Sequence, residues 1–210
     1  MMPPKMRIAI PAMLALGLCA MSAPSNAQAV RPTDQAAQKI AASVCVACHG
    51  PAGVSTSPLF PHLAGQSQIY LVAQLKAFKG KARGEKDAHD YMWGMATLLE
   101  DTVMEDLARY YAAQNPARGV AGDPALAAQG RTLFDQGDPT LGIVACASCH
   151  GTKAEGNSIF PRLAGQHASY VVRQLEVIQG RSRDSPVMHG VIKDLDAHGM
   201  KAVAEYVQSL

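Results

Sequence analysis

The sequence is poor in aromatic residues and carries no marked excess of either charge. Only 5% of its 210 residues are aromatic, so few large side chains are available to fill a core, a shortage that a buried cofactor could relieve. The hydrophobic share of 48% and the mean hydropathy of +0.00 are those of an ordinary globular chain. Lys and Arg together exceed Asp and Glu by two, 19 against 17, and no basic run or stripe is present. Nucleic acid is therefore not expected as a partner.

The first apolar stretch is too short to span a bilayer comfortably, which takes about 20 residues. It runs from Ile8 to Met21, follows two basic residues, and gives way to small residues up to Ala27 and Ala29. This order is that of a secretory signal peptide, so residues 1–29 are predicted to be one, cleaved after Ala27 or Ala29. An uncleaved N-terminal anchor is the alternative. Export would place the mature protein in the periplasm.

The chain beyond this segment has only four cysteines. They stand in two identical spacings, Cys45-Val46-Ala47-Cys48-His49 and Cys146-Ala147-Ser148-Cys149-His150. Disulfides suit an exported protein, but a two-residue gap closes a very small loop and makes a poor staple. A shared zinc site is disfavoured because the pairs lie 101 residues apart, whereas structural zinc sites gather their ligands within roughly a few tens of residues.

Attachment of c-type haem explains the histidine as well as the thiols. In that chemistry two thiols add to the haem vinyl groups and the next residue binds the iron. The motifs therefore predict two covalently bound haem c groups, one at each pair of cysteines, with redox-active dithiols as the alternative.

A duplication extends well beyond the cysteines. The block Phe-Pro-x-Leu-Ala-Gly-Gln at residues 60–66 recurs at residues 160–166. The offset between matching residues is 101 at the cysteines, 100 through this block and 96 near the end, and changes confined to the boundaries between blocks are what loop insertions produce. The duplication therefore predicts two tandem domains, residues 30–118 and 119–210. They are joined near Asn115–Pro124, where prolines and glycines interrupt helix.

Apolar residues at helical spacing predict three main helices in each half. These are Ala36–Val44, Ile69–Phe78 and Val103–Tyr111, then Pro124–Phe134, Val171–Ile178 and Met200–Val207. Thr102 and Glu105 fit a capping box at the start of the closing helix of the first half. No stretch alternates like a strand, so the predicted fold class is all-α.

These features resemble the two-haem cytochrome c4 group of bacterial class I cytochromes c. The resemblance covers nearly all of the chain after residue 29. It rests on the two Cys-x-x-Cys-His motifs, the doubled Phe-Pro-x-Leu-Ala-Gly-Gln block and a Met-x-Gly ahead of each closing helix. It implies two tandem class I cytochrome c domains related by a pseudo-twofold axis, each with one covalent haem, in a periplasmic electron carrier. The family often has Ser-Asp where the closing helices start. Glu100-Asp101 and Asp196-Ala197 stand there instead, which should affect helix stability alone.

Each motif histidine can fill only one axial position of its iron, so a second ligand is needed. No histidine recurs between the halves, whereas two methionine pairs do. Met104 and Met200 lie on the apolar faces of the closing helices, where core filling is the simpler interpretation. Met92 and Met188 precede those helices, in segments predicted to be loops.

Met92 and Met188 also match the ligand methionine of the family. The predicted axial ligands are His49, Met92, His150 and Met188. Met95 in the first half and His189 in the second are the competing candidates.

Two weaker expectations concern the surroundings of the haems. The resemblance implies that Pro61 and Pro161 offer carbonyl groups to the iron-bound imidazoles, a role that competes with that of ordinary turn prolines. Arg83 and Arg183, each preceded by another basic residue two positions earlier, either pair with haem propionates or belong to a solvated basic loop.

If both irons have His and Met ligands, neither has an open position for substrate. Electron transfer is then the function that such haems can perform. The first interpretation is a non-enzymatic carrier between a quinol-oxidising complex and a terminal oxidase or reductase, with peripheral membrane association left open. The second is an electron-transfer subunit of a periplasmic dehydrogenase, such as a flavoprotein sulfide dehydrogenase or an alcohol dehydrogenase. The third is a two-haem peroxidase or thiosulfate-oxidising enzyme, which the symmetric Met-x-Gly pattern disfavours.

Overall fold

The computed structural model describes residues 1–2 and 32–210. The predicted signal peptide, residues 1–29, lies outside the described residues except for its first two. Ten α-helices occupy the described part of the chain: α1 Pro32–Ile40, α2 Val46–His49, α3 Gln68–Lys79, α4 Trp93–Thr97, α5 Asp101–Ala112, α6 Pro124–Gln136, α7 Ala147–His150, α8 Ala168–Gln179, α9 Pro186–Ile192 and α10 Ala197–Ser209. Isolated bridges are the only β-structure among these residues. The all-α prediction is confirmed.

The leading helix of the first half runs without a break into the first cysteine motif. α1 begins at Pro32, earlier than predicted, and continues through a π-helical turn, Ala41–Cys45, into α2. The imidazole of His49 therefore stands at the C-terminal end of one helical run. Gly50, with φ of 72°, ends that run.

The second half reaches its motif differently. α6 ends at Gln136, and Gly137 takes a left-handed φ of 71°, which a residue with a side chain rarely adopts. A short loop follows, closed by an antiparallel bridge between Asp138 and Ile143, before α7 begins. The repeat alone does not predict this loop, because the two halves share no sequence there.

The start of the first closing helix differs from the prediction. α5 begins at Asp101 with Glu100 as its N-cap residue and without a side-chain capping bond, so the capping box of Thr102 and Glu105 is wrong. The acidic side chain of Asp101 in the first turn instead complements the helix dipole. α10 is capped, since the carboxylate of Asp196 accepts from the backbone N–H of Gly199 at 2.7 Å.

The closing helices form the centre of both cores. α1 and α3 pack on α5, while α6 and α8 pack on α10. Met104 and Met200 are 0% and 3% exposed on these helices, as the core-filling interpretation predicted. α6 and α10 touch at Gly130, where a Cβ atom would lie 1.8 Å from the carbonyl oxygen of Ala202. Glycine is what permits this helix crossing.

The two halves meet through matching residues, as a pseudo-twofold relation requires. Arg83 and Arg183 form an antiparallel bridge. The side-chain oxygen of Gln66 accepts from the N–H of Arg162 at 2.7 Å, and that of Gln166 accepts from the N–H of His62 at 2.9 Å. No helix within the described residues has the length and apolarity needed to cross a membrane.

Candidate functional site

Both motif histidines are buried and held in the same way. His49 and His150 are each 7% exposed. The Nδ1 atom of His49 lies 2.9 Å from the carbonyl oxygen of Pro61, and that of His150 lies 2.9 Å from that of Pro161. A carbonyl can only accept, so Nδ1 carries the proton in both rings. Nε2 is thereby left as the lone-pair nitrogen, the form in which imidazole binds iron.

An aromatic edge supports each of these rings. Phe60 lies against His49 and Phe160 against His150, with ring centroids 6.2 Å apart in both halves. Burial lowers the pKa of both histidines, and the prolyl carbonyls only partly offset this. The rings are therefore kept neutral, as a ligand must be.

No disulfide joins any of the four motif cysteines, which does not match the disulfide interpretation. Burial raises the pKa of Cys45, and it raises that of Cys146 to about 11. A redox-active dithiol instead needs a thiolate with a lowered pKa, so this environment disfavours the dithiol interpretation. Cys45 and Cys146 are partly buried against the apolar cores, at the point where a haem edge would join each domain.

The methionines predicted as ligands lie on short helices, so the prediction that they lie in loops is wrong. Met92 ends a π-helical turn, Ala88–Met92, which leads into α4, and Met188 lies within α9. Pro186 in the first turn of α9 favours a helix there. Both methionines are partly buried against apolar side chains.

A ring contact brings the methionine segment of the first half to its histidine. Phe60, which lies against His49, also contacts Tyr91 with centroids 5.2 Å apart. Tyr91 directly precedes Met92. Two aromatic side chains, Phe60 and Tyr91, thus connect His49 to the segment that carries Met92.

The competing ligand candidates differ in their surroundings. Met95 is 55% exposed. His189 directs Nδ1 at the carbonyl oxygen of Ile178, 3.2 Å away, the same kind of contact that orients the motif histidines, so it stays a competing candidate in the second half. His62 and His167 stack on each other at the boundary between the halves, with centroids 4.1 Å apart.

The residues present fit two haem c groups. Each half offers two adjacent thiols, a neutral buried imidazole with Nε2 available, and a methionine on a separate segment. Large apolar side chains close to these residues in the sequence lie at the surface, where a porphyrin could cover them: Val44, Leu98, Leu141, Val144 and Val187. Such a cofactor would supply the apolar area that the scarcity of aromatic residues leaves missing.

The solvated-loop interpretation of Arg83 and Arg183 is wrong, because they are only 6% and 8% exposed. They lie between the halves and share acceptors. The side-chain oxygen of Gln74 accepts from Arg83 at 3.1 Å and from Arg183 at 3.0 Å. That of Gln174 accepts from the same two guanidinium groups, at 2.9 Å and 2.5 Å.

Reasoning from the sequence missed the residues that join the two halves. Gln66, Gln74 and their counterparts recur in the repeat. A duplicated amide that no cofactor chemistry needs indicates a contact between the repeats.

Comparison with known proteins agrees with this arrangement. The cytochrome c family model matches the chain twice, over residues 35–112 and 127–210. Cytochrome c4 of Thiocapsa roseopersicina is 41% identical over 182 residues, covering 84% of this chain and 92% of that protein. The thiosulfate dehydrogenase electron acceptor of Thiomonas intermedia is 36% identical over 183 residues, covering 84% and 82%. The crystal structure of reduced cytochrome c4 from Pseudomonas stutzeri superposes with a TM-score of 0.75 at 38% identity, covering 84% of this chain and 98% of that one.

Proposed function

Because the chain belongs to the cytochrome c4 family, we propose that it is a periplasmic carrier that accepts electrons from a quinol-oxidising complex and delivers them to a terminal oxidase or reductase. The protein holds two covalently bound haem c groups and is an electron carrier, not an enzyme. Each haem supplies a one-electron iron couple when bound. The protein's own side chains attach the haem, set its axial ligands and exclude other ligands.

In our proposal Cys45 and Cys48 attach the first haem, and Cys146 and Cys149 attach the second. His49 and His150 would each bind an iron through Nε2, with Nδ1 held by the prolyl carbonyl groups. Met92 and Met188 would supply the second protein ligand to each iron. A neutral thioether favours Fe(II) and leaves no position open for peroxide or another small ligand.

The observation that carries this proposal is the twofold recurrence of one histidine geometry. Two buried imidazoles lie 101 residues apart in the sequence. In each, Nδ1 lies 2.9 Å from a prolyl carbonyl oxygen, and the ring centroid lies 6.2 Å from that of a phenylalanine. A single instance could be a satisfied core histidine. Two matched instances, each directly after a pair of thiols, are what two haem sites of one design require.

The test is the mass of the mature protein together with its absorption spectrum. We expect the mass of the polypeptide plus two haem groups, and a weak thioether-to-iron band in the oxidised form. Cys48→Ala and Cys149→Ala should each lower the covalent haem content by one. Release of both haems into acidic acetone from the denatured wild type would refute covalent attachment.

The matched control for these variants is Cys19→Ser, which changes a cysteine within the predicted signal peptide. The mature protein should then be unchanged in mass and spectrum. N-terminal sequencing of exported protein tests the predicted cleavage after Ala27 or Ala29 and the periplasmic location together.

A second candidate function is supported by relatives that are named as the electron acceptor of a thiosulfate dehydrogenase. We propose this role as the alternative: electron transfer within, or directly from, a periplasmic dehydrogenase. A free carrier should elute alone on gel filtration of a periplasmic extract, whereas a subunit should elute with its enzyme. Reduction by quinol-oxidising membranes, compared with reduction by thiosulfate dehydrogenase and thiosulfate, distinguishes the two donors.

A further inference from the structure

Glu85 is a buried carboxylate in the network of polar side chains between the domains. It is 3% exposed and forms an ion pair with Arg83, which is itself 6% exposed. Its atom Oε1 accepts from Nε of Arg83 at 2.6 Å, while Oε2 is buried without a hydrogen-bond partner among the described residues. A carboxylate in this position interacts with its surroundings far more strongly than one at the surface.

The second half has no counterpart to this charge. Arg83 matches Arg183, at the offset of 100 that holds through this region, and by the same offset Glu85 matches Ser185. Arg183 binds the hydroxyl of Tyr70 at 2.7 Å in addition to the shared amide oxygens. Within the polar network between the domains, this buried negative charge therefore belongs to the first half alone. The other buried carboxylate of that half, Asp106, lies on α5 and pairs with Arg109.

Glu85 is tied to the segment that carries the predicted ligand of the first half. Its carbonyl oxygen accepts from the backbone N–H of His89 at 3.1 Å, in the helical run that ends at Met92. The indole N–H of Trp93 donates to the carbonyl oxygen of Arg83 at 2.9 Å. The Glu85–Arg83 pair therefore belongs to the same packed unit as Met92.

We propose that the negative charge of Glu85 lowers the reduction potential of the first haem relative to that of the second. This charge makes two similar sites unequal. This inference rests on the proposed function. Reduction adds one electron, supplied by the redox partner, to a ferric haem, and a buried negative charge nearby disfavours that gain. Electrons then reside preferentially on the second haem, which gives transfer through the protein a direction.

Redox titration of the intact two-haem protein, followed by its absorption, tests this proposal. Glu85→Gln keeps the size and an acceptor oxygen but removes the charge, so it should raise the potential of one of the two steps and leave the other nearly unchanged. Ser185→Glu adds the missing carboxylate to the second half and should lower the other step. Glu85→Asp keeps the charge, so both reduction steps of this variant should stay close to those of the wild type.

Asp90→Asn is the matched control, because it removes an equal charge from the same segment at an exposed position. Asp90 forms its ion pair with Lys86 at the surface, where solvent and salt screen it, so neither step should move. The proposal is overturned if Glu85→Gln moves both steps equally, or if it moves neither. Movement of the same step by Glu85→Gln and by Ser185→Glu would overturn it as well.

Two features of the proposed function are measured separately from this charge effect. Covalent haem content reports attachment, and the thioether–iron band of the wild type reports axial ligation by methionine. A wild type without that band would refute the proposed methionine ligands. The two reduction steps would still be measurable, so the effect of Glu85 would still be decided.

Discussion

The side-chain amide of Gln66 pairs with the backbone of Arg162 in the other domain, accepting from its N–H at 2.7 Å and donating to its carbonyl at 2.9 Å. Gln166 forms the mirror pair with His62, at 2.9 Å and 3.1 Å. One amide side chain thus satisfies both polar groups of one residue in the opposite domain. Both partners of each pair lie within the duplicated block, so the block itself supplies contacts between the two domains.

Replacing these amides should weaken the contact between the domains. Gln66→Ala and Gln166→Ala each leave a backbone N–H and a carbonyl without partners at a partly buried position, so each should lower the free energy of unfolding by about 1–3 kcal/mol. Urea denaturation followed by circular dichroism measures this. Gln114→Ala, which removes a bond to the carbonyl oxygen of Tyr110 within the same domain, is the control and should cost less. Equal losses in all three variants would contradict a special role of the pairs.

The stacked imidazoles of His62 and His167 should make the protein less stable in acid. Burial, followed by the charge of His167, lowers the pKa of His62 to about 4, and burial lowers that of His167, with Arg173 adding to the effect. The unfolded chain takes up these protons near pH 6.5, before the folded one does. Stability is therefore full above about pH 6.5 and is lost as pH falls toward 4.

Thermal melting between pH 7.5 and pH 4.5 checks this dependence. In His62→Gln the loss of stability on acidification should shrink, because one depressed pKa is gone. His198→Gln changes a surface histidine that bonds to Gln129, and its pH profile should follow the wild type. A profile for His62→Gln identical to that of the wild type would attribute the acid sensitivity to other groups.

The helix crossing at Gly130 should tolerate no side chain. In Gly130→Ala the new Cβ would meet the backbone of Ala202 at 1.8 Å, and backbone cannot yield as a side-chain tip can. We expect a loss of about 1–3 kcal/mol, as for overpacking of a core. Gln136→Ala, at an exposed position of the same helix, should change stability by less than about 0.5 kcal/mol. Unchanged melting of Gly130→Ala would mean that α6 and α10 pack less closely.

Sequence patterns predicted the helices better than the contacts between them. Apolar periodicity located the closing helices to within a few residues, because burial of one face is a local signal that the sequence contains directly. The cysteine spacing indicated the haem chemistry because it, too, is a local signal, contained in five consecutive residues of each half. The burial of Arg83 could not be predicted, since its acceptors Gln74 and Gln174 come from two domains and nothing local distinguishes such an arginine from a solvated one. The sequence analysis predicted a loop around Met188, although Pro186 stands in the first turn of α9, a position where proline favours a helix.

The predicted domain boundary implies that the halves fold separately. Residues 30–118 and 119–210 each contain a complete set of motifs, and much of the surface between them is polar. Each half, produced with haem-attachment machinery, should give a soluble one-haem protein with reduced stability, measured by covalent haem content and melting temperature. A chain cut within residues 60–66 is the control and should fail. Failure of both halves, with the whole chain intact, would indicate one shared core.

Loss of a ligand methionine should change one haem and leave the other as it was. In Met92→Ala or Met188→Ala, water or a nearby histidine replaces a neutral thioether. Both replacements favour Fe(III), so the potential of that haem should fall by on the order of a hundred millivolts or more. About half of the thioether–iron band should disappear, and the altered haem should bind cyanide or carbon monoxide, which the wild type should bind poorly.

Met104→Ala and Met200→Ala are the matched controls, because these methionines are buried on α5 and α10 at 0% and 3% exposure. Each should cost about 2–5 kcal/mol of stability through the cavity it leaves, with both thioether–iron bands retained. Spectral loss in these variants would exchange the roles of the two methionine pairs and make Met92 and Met188 the packing residues. Rapid binding of cyanide by the wild type would mean that one iron has an open position, and a protein of that kind could react with peroxide directly.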